Sequence, residues 1–147
     1  MRALLQRVNS AEVHINNQLY SQINKGLLIL LGIGNNDDIK DIQYLIDKII
    51  NLRIFNNNQN KMNLSIVDIK GDILIVSQFT LFANITKGRR PGFSESANSK
   101  IAENLYNIFL NQFDDYNLKI QSGKFGAMMN IHLINNGPAT FMLDSKI

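Results

Sequence analysis

The sequence predicts a mixed α+β domain that is mostly β-structure and has two main helices. Three observations lead to this prediction. Apolar runs and polar–apolar alternation fill the first third of the chain, two later segments repeat apolar residues every three or four positions, and strand-like patterns return in the last third. The 147 residues show no break in composition and their apolar fraction of 45% suits one core, so we expect a single domain over residues 1–147.

The first third of the chain is predicted to form strands. Apolar and polar residues alternate over 13–15, Asn16-Asn17 is a turn signal, and a returning strand is expected over 20–25. The run 26–33 is almost entirely apolar, which is typical of a strand that is covered on both faces.

Two helices are predicted from apolar residues at helical spacing. The first has its apolar stripe over 39–50, and Asp37 or Asp38 is expected to cap it, because a short acidic side chain accepts hydrogen bonds from the free amides there. The second is expected to be capped by Ser94 and to continue to about Phe113.

The remaining segments are predicted to be strands joined by polar loops. These strands are expected over 53–55, 64–69, 72–78, 117–121, 127–134 and 139–143. Gly137-Pro138 stands between the last two strands. Because proline cannot donate to a strand ladder, Pro138 should mark a turn or a special crossing point.

Composition excludes several kinds of site. The chain contains no cysteine, which excludes a disulfide scaffold, a thiolate metal site and a cysteine nucleophile. Its two histidines, His14 and His132, lie in strand patterns, and we interpret them as packing or surface residues. No Gly-x-Ser-x-Gly elbow and no glycine-rich phosphate loop is present. We therefore expect no bound metal and no cofactor.

The termini and the charge bear on location and partners. No segment reaches the roughly 18 to 20 apolar residues needed to span a bilayer, and the first residues do not form a signal peptide. We therefore expect a cytoplasmic protein with no membrane partner. The formal net charge of +3 permits a nucleic-acid partner without indicating one.

One polar segment is well placed to form a site. Ser77-Gln78-Phe79-Thr80 directly follows the apolar run 73–76, so its polar groups stand at the end of a core strand. Taken alone, the segment is equally consistent with a strand end that forms a local hydroxyl-to-backbone hydrogen bond. Without a Ser-His-Asp triad, an enzyme of this sequence would have to work with hydroxyls, amides and backbone groups. Backbone amides can stabilise the oxyanion that forms when an activated ester is hydrolysed.

Together with this segment, four motifs resemble the D-aminoacyl-tRNA deacylase family, and the resemblance runs from residue 1 to about residue 143. In the order expected for the family they read Lys61-Met62-Asn63-Leu64-Ser65, Lys87-Gly88-Arg89-Arg90-Pro91, Phe125-Gly126-Ala127-Met128-Met129 and Asn135-Asn136-Gly137-Pro138-Ala139-Thr140. The chain departs from the family pattern at the loop positions Asn60, Gly92 and Asn136.

The resemblance implies hydrolysis of the ester that joins a D-amino acid to the terminal ribose of tRNA, and clearance of some glycine mischarged onto tRNA. It also implies a homodimer in which a β-barrel-like sheet packs with the two main helices. Gly137-Pro138 is then expected to form a cis peptide that reaches into the partner's active site. There it is expected to exclude substrates that carry an L-amino acid. Three alternatives are a non-catalytic nucleic-acid-binding dimer on the same scaffold, a structural dimer in which Gly137-Pro138 only locks the interface, and a different esterase or amidase on a related scaffold.

The resemblance assigns the catalytic wall to Ser77, Gln78, Phe79 and Thr80. We expect amides near Phe79 and Thr80 to face the developing oxyanion, and the ribose 2′-OH of the tRNA to help activate water. Thr80 could instead be a nucleophile, although no general base lies nearby in sequence.

Two further groups of residues are expected to contact the substrate. Phe125 and Met129 should border its pocket, with ordinary core packing as the alternative. Lys87, Arg89 and Arg90 form a basic loop that suits the phosphates of an acceptor stem, with a solvated loop as the alternative.

Overall fold

The computed structural model describes residues 1–86 and 88–147. Two α-helices, α1 and α2, cover Ile39–Asn51 and Ser99–Asn111, and a 3₁₀ helix covers Phe79–Phe82. The strands β1 to β8, in chain order, cover Arg2–Ile15, Gln18–Ile23, Gly26–Gly32, Phe55–Asn56, Met62–Leu64, Asp72–Ser77, Ile120–Ser122 and Asn130–Asp144. Over this described part of the chain, no helix has the length and apolarity that a bilayer span requires.

A six-stranded sheet organises the fold. Its order is β2-β1-β3-β6-β7, and β8 pairs with the other edge of β1. The strands β2, β3 and β8 are antiparallel to β1, whereas β6 runs parallel to β3 and β7 parallel to β6. The hydroxyl of Ser21 in β2 donates to the carbonyl of Ser122 in β7 at 2.8 Å, which brings the two ends of the path together. The sheet is therefore nearly closed, and the predicted α+β class with a barrel-like sheet is confirmed.

Both faces of β3 are buried, as its continuous apolar run predicts. Leu27 and Ile29 belong to the larger apolar cluster, which also contains the stripe of α1 and the buried residues of α2. Leu28 points to the opposite face and belongs to a second cluster, with Leu74 and Val76 of β6. The end of β6 is thus fixed from both faces, which gives the segment that follows it a rigid base.

One of the two predicted N-caps of α1 is confirmed. Asp38 is the N-cap, and its carboxylate accepts from the amide of Lys40 at 2.8 Å. The carboxylate of Asp41 accepts in return from the amide of Asp38 at 2.8 Å, which completes a capping box. Asp37 instead accepts from the N-terminal ammonium of Met1 at 2.6 Å.

The predicted cap of α2 was wrong. Asn98, not Ser94, caps this helix, and its side chain accepts from the amide of Ile101 at 3.0 Å. Residues 94–95 form a turn, and Ser96 makes a β-bridge to Gly34, so the chain is still extended where the helix was expected to begin. Spacing alone did not reveal this bridge, because its partner lies far away in sequence.

The strand predicted over 64–69 was also wrong. Only Met62–Leu64 is extended, and residues 66–70 form a turn. The carboxylate of Asp68 accepts from both the amide and the hydroxyl of Ser65 at 2.8 Å, and this local pairing favours a turn over a strand.

The last predicted strands differ in their boundaries. The strand expected over 117–121 is β7, and the strands expected over 127–134 and 139–143 form the single long strand β8. Residues 127–129 precede β8 and belong to a loop.

Candidate active site

A cavity of about 880 Å³ lies beside the end of β6. Its wall is mostly apolar and is built from the end of β6, the loop that precedes β8 and the start of α2. The predicted site residues that line it are Ser77, Gln78, Phe79, Phe125 and Met129. The structure therefore brings residues from two distant parts of the sequence to one cavity.

The segment that leaves β6 is held at its start and then turns sharply. The amide of Gln78 donates to the carbonyl of Leu31 in β3 at 2.8 Å, so the sheet fixes the chain up to this residue. The 3₁₀ helix begins at Phe79, and the first amides of such a helix have no acceptor within it. The amides of Phe79 and Thr80 thus have no partner inside the turn, and Phe79 lines the cavity.

The side chain of Thr80 is exposed and does not line the cavity. Its hydroxyl oxygen accepts a hydrogen bond from the Gln78 side-chain amide. Over residues 1–86 and 88–147, no carboxylate or imidazole is hydrogen-bonded to this hydroxyl. Among the described residues, the Thr80 hydroxyl is therefore not hydrogen-bonded to a general base.

Aromatic rings form two sides of the cavity. Phe79 is 57% exposed and lies edge-on to Phe93, with ring centroids 4.9 Å apart. Phe125 packs near Tyr106, with centroids 5.7 Å apart, and the Tyr106 hydroxyl donates to the carbonyl of Ile75 at 2.8 Å. Burial raises the pKa of Tyr106, so the phenol stays protonated and keeps donating to the strand beneath the site.

The two expected roles of Phe125 and Met129 are compatible. Both side chains are half-buried and line the cavity. Phe125 also packs against the larger apolar cluster, and Met129 packs against the smaller one. These residues thus join the cavity wall to the core.

The basic loop lies between two residues of the cavity wall, Phe79 and Phe93. Arg89 and Arg90 are exposed and do not line the cavity, and Lys87 lies outside the described residues. Two backbone hydrogen bonds between Asn84 and Gly92, of 2.7 and 2.9 Å, close the base of the loop. The two arginines are therefore presented to solvent beside the cavity.

Gly137 and Pro138 do not line the cavity of their own chain. Residues 136–139 bulge out of the β1–β8 ladder, which resumes on either side at Asn135 and Thr140. Both Gly137 and Pro138 are exposed, and the peptide bond between them is cis. Pro138, which was predicted to mark a turn or a special crossing point, thus lies in a bulge in the middle of the long strand β8.

The side chain of Arg7 stabilises this bulge by hydrogen bonding. Its guanidinium donates from Nε to the carbonyl of Asn136 at 3.0 Å and from Nη1 to the carbonyl of Ile54 at 2.7 Å. The residue is only 6% exposed. A Cβ atom on Gly137 would lie 2.9 Å from Arg7 Nη2 and 3.0 Å from the amide nitrogen of Ala139, and φ of Gly137 is +129°. Glycine is therefore required for the bulge to sit this close to the guanidinium.

Asparagine side chains fix the bulge at both ends. Asn135 accepts from the amide of Ala139 at 3.1 Å and donates to the hydroxyl of Thr140 at 3.0 Å. Asn136 donates to the side-chain oxygen of Asn9 in β1 at 2.9 Å. The exposed bulge is thus held by several hydrogen bonds to its own chain.

Arg7 and Asn9 support the candidate site, although no sequence pattern pointed to either residue. Their partners lie 129 and 127 residues away in the sequence, so no local pattern connects them to Gly137. Gln6 and Asn9 near Arg7 are polar as well, so the local sequence pattern does not mark Arg7 as buried. In the structure it is buried, and its charge finds partners in the carbonyls of Asn136 and Ile54.

Comparison with known proteins matches nearly the whole chain. A family model described as D-Tyr-tRNA(Tyr) deacylase matches residues 4–144. The chain is 54% identical over 147 residues to a D-aminoacyl-tRNA deacylase of Thermosipho melanesiensis, covering 99% of this chain and 98% of the relative. It is 50% identical over 146 residues to a D-aminoacyl-tRNA deacylase of Clostridioides difficile, with the same coverage of 99% and 98%.

Two solved structures have the same fold over nearly the whole chain. A structure named c-Myc DNA Unwinding Element Binding Protein has a TM-score of 0.93 and 39% identity, and the match covers 98% of each chain. A probable eukaryotic D-amino acid tRNA deacylase has a TM-score of 0.81 at 21% identity over 97% of each chain, which shows a shared fold. Because the family model matches residues 4–144 and the chain is 54% identical to a D-aminoacyl-tRNA deacylase, the chain belongs to the D-aminoacyl-tRNA deacylase family of ester hydrolases.

Proposed function

We propose that this deacylase hydrolyses the ester of D-aminoacyl-tRNA in the cavity beside the end of β6, and that Gly137-Pro138 of a second copy completes the site. One observation carries the proposal. The Gly137-Pro138 bulge is exposed and firmly held, yet it does not line the cavity of its own chain. A rigid exposed segment is suited to dock into a second copy, and in a twofold dimer each chain would supply it to the other.

The proposed reaction depends mainly on backbone groups. Water adds to the ester carbonyl carbon, and the bond to the ribose oxygen breaks to give a free D-amino acid and free tRNA. The amides of Phe79 and Thr80 stabilise the charge that develops on the carbonyl oxygen, because fixed donors aimed at that oxygen lower the barrier. The 2′-OH of the terminal ribose helps to activate the water.

Thr80→Val should retain activity within about tenfold of wild type, because the loss of one neutral hydrogen bond costs about 1 kcal/mol. The hydroxyl accepts a hydrogen bond from Gln78 and has no base hydrogen-bonded to it in the described structure. These contacts favour a structural role for the hydroxyl over a role as the nucleophile. The measurement is kcat/KM for release of D-Tyr from charged tRNA. Thr86→Val is the matched control, since that hydroxyl donates only locally, to Asn84 at 2.7 Å. A loss of about a thousandfold or more at Thr80 alone would identify it as the nucleophile.

Chiral selection is proposed to come from the same docked segment. Backbone carbonyls of Gly137-Pro138 accept hydrogen bonds from the ammonium group of the substrate, and the segment occupies the space that an L side chain would need. A glycyl substrate has no side chain, so the docked segment does not exclude it. We therefore include glycyl-tRNA among the proposed substrates.

Release of D-Tyr, L-Tyr and Gly from charged tRNA tests the proposal directly. We expect D-Tyr and Gly to be released and L-Tyr to remain on its tRNA. Equal rates for the two enantiomers would contradict chiral selection. Binding of tRNA without any release would favour the alternative, a non-catalytic nucleic-acid-binding dimer.

Arg89 and Arg90 are proposed to contact phosphates of the tRNA acceptor stem, and Lys87 of the same loop is included in this proposal. Both arginines are exposed beside the cavity, which supports the assignment. Arg89→Ala and Arg90→Ala should each weaken tRNA binding and reduce the slope of log Kd against log salt by about one unit per lost contact. Lys48→Ala, an exposed charge on α1, is the control. Slopes equal to wild type in both arginine variants would show that the loop is merely solvated.

A further inference from the structure

Three side chains that could bind a metal meet on the β1–β8 pair, and the proposed function uses none of them. They are Glu12, His14 and His132, and their potential ligand atoms all lie within 4.8 Å of one another. Glu12 and His14 are two residues apart on β1 and therefore share a face of the strand. His132 on β8 is the direct ladder partner of Glu12. The backbone register thus brings the three side chains together.

The three side chains lie on the face of the strands that points away from the core. Their neighbours Val13, Ile131 and Leu133 belong to or pack against the smaller apolar cluster on the opposite face. Ile131 also lines the cavity, so His132 points away from that cavity. The group is therefore separate from the proposed deacylation site.

The side chains already contact one another. His14 Nε2 lies 2.7 Å from a carboxylate oxygen of Glu12. The ring centroids of His14 and His132 are 4.5 Å apart, and the ring planes are tilted by 36°. Two imidazole nitrogens and a carboxylate oxygen thus lie close enough together to be considered as one set of metal ligands.

We propose that Glu12, His14 and His132 bind a divalent transition-metal ion such as Zn²⁺, with a fourth position open to solvent. Two imidazole nitrogens and one carboxylate oxygen are a known zinc donor set, and zinc–ligand distances of about 2.0–2.2 Å place tetrahedral ligands roughly 3.3–3.6 Å apart. The present ligand atoms lie within 4.8 Å of one another, which is close to that separation. Calcium is disfavoured, since it takes about six to eight oxygen ligands and this group offers one carboxylate.

The bound ion would join β1 to β8 at a point where a ladder pair already fixes both strands. Because the ion binds the folded chain through residues of two strands, it stabilises the folded state by mass action. We therefore expect thermal unfolding to shift to higher temperature as Zn²⁺ is added.

The chain offers a direct probe, because His14 and His132 are its only histidines. Untagged protein is titrated with Zn²⁺ while the imidazole ring protons are followed by ¹H NMR. Both histidines should respond together and saturate at one equivalent. His132→Ala should abolish the saturable response of His14, and Glu12→Gln should weaken it.

Glu103→Gln, an exposed carboxylate change on α2, is the matched control and should leave the titration unchanged. Thermal unfolding of each variant without metal confirms that it is folded. An independent response of the two histidines, or an unaltered response of His14 in folded His132→Ala, would overturn the proposal. A response that does not saturate at one equivalent would overturn it as well.

Discussion

Gly137→Ala is expected to reduce the hydrolysis of D-aminoacyl-tRNA by about a hundredfold while the protein remains folded. The new Cβ would lie 2.9 Å from Arg7 Nη2 and 3.0 Å from the amide nitrogen of Ala139, and φ at this residue is +129°. The bulge must therefore move, and a displacement of about 1 Å in a substrate-positioning group is sufficient for a hundredfold loss. The measurement is kcat/KM for D-Tyr release, together with thermal unfolding.

Gly92→Ala is the matched control for this change. The nearest atom to a Cβ on Gly92 is the carbonyl oxygen of Asn84 at 3.9 Å, so the added methyl group meets no obstacle. We expect this variant to keep near-wild-type activity. Wild-type kcat/KM in a folded Gly137→Ala protein would contradict the role assigned to the bulge.

Arg7→Ala is expected to lower both stability and activity. The substitution leaves the carbonyls of Ile54 and Asn136 without their charged donor, and loss of such a buried partner costs about 3 kcal/mol. Because Asn136 precedes Gly137, the bulge also loses its main support, and we expect activity to fall by about a hundredfold. Urea unfolding measures the free energy of unfolding, and D-Tyr release measures the activity.

Two variants separate positioning from simple destabilisation. Arg7→Lys should recover part of the stability but little of the activity, because a single ammonium cannot reproduce the two-armed geometry of the guanidinium. Arg53→Ala removes an exposed arginine whose Nε donates to the carbonyl of Asn63 at 2.9 Å, and it should cost less than about 1 kcal/mol. Full activity in Arg7→Lys would show that the fork geometry is not needed.

Local sequence patterns predicted those elements whose structure depends on their own residues. The apolar stripe of α1 and its Asp38 cap are of this kind, as is the continuous apolar run of β3. The turn at Asn16-Asn17 is another, because both residues adopt the left-handed backbone conformation that asparagine tolerates. In each case the chemical signal and the structure lie within a few residues of one another.

Features that depend on distant partners could not be predicted in this way. Ser94 resembles a cap, but the bridge from Ser96 to Gly34 keeps the chain extended and delays α2 until Ser99. The support of Gly137 by Arg7 joins opposite ends of the sequence. Proline chemistry marked the position of the bulge, but only the fold shows what holds it and that it lies away from its own cavity.

Completion of the active site by the bulge of a second copy can be tested with mixed dimers of two inactive chains. One chain carries Gly137→Ala and keeps its cavity, and the other carries Ala127→Trp, which fills the cavity but keeps the bulge. If bulges act across the dimer, each mixed dimer has one complete site, and an equal random mixture should regain about a quarter of wild-type D-Tyr release. Activity no greater than that of the two parent variants would contradict the claim.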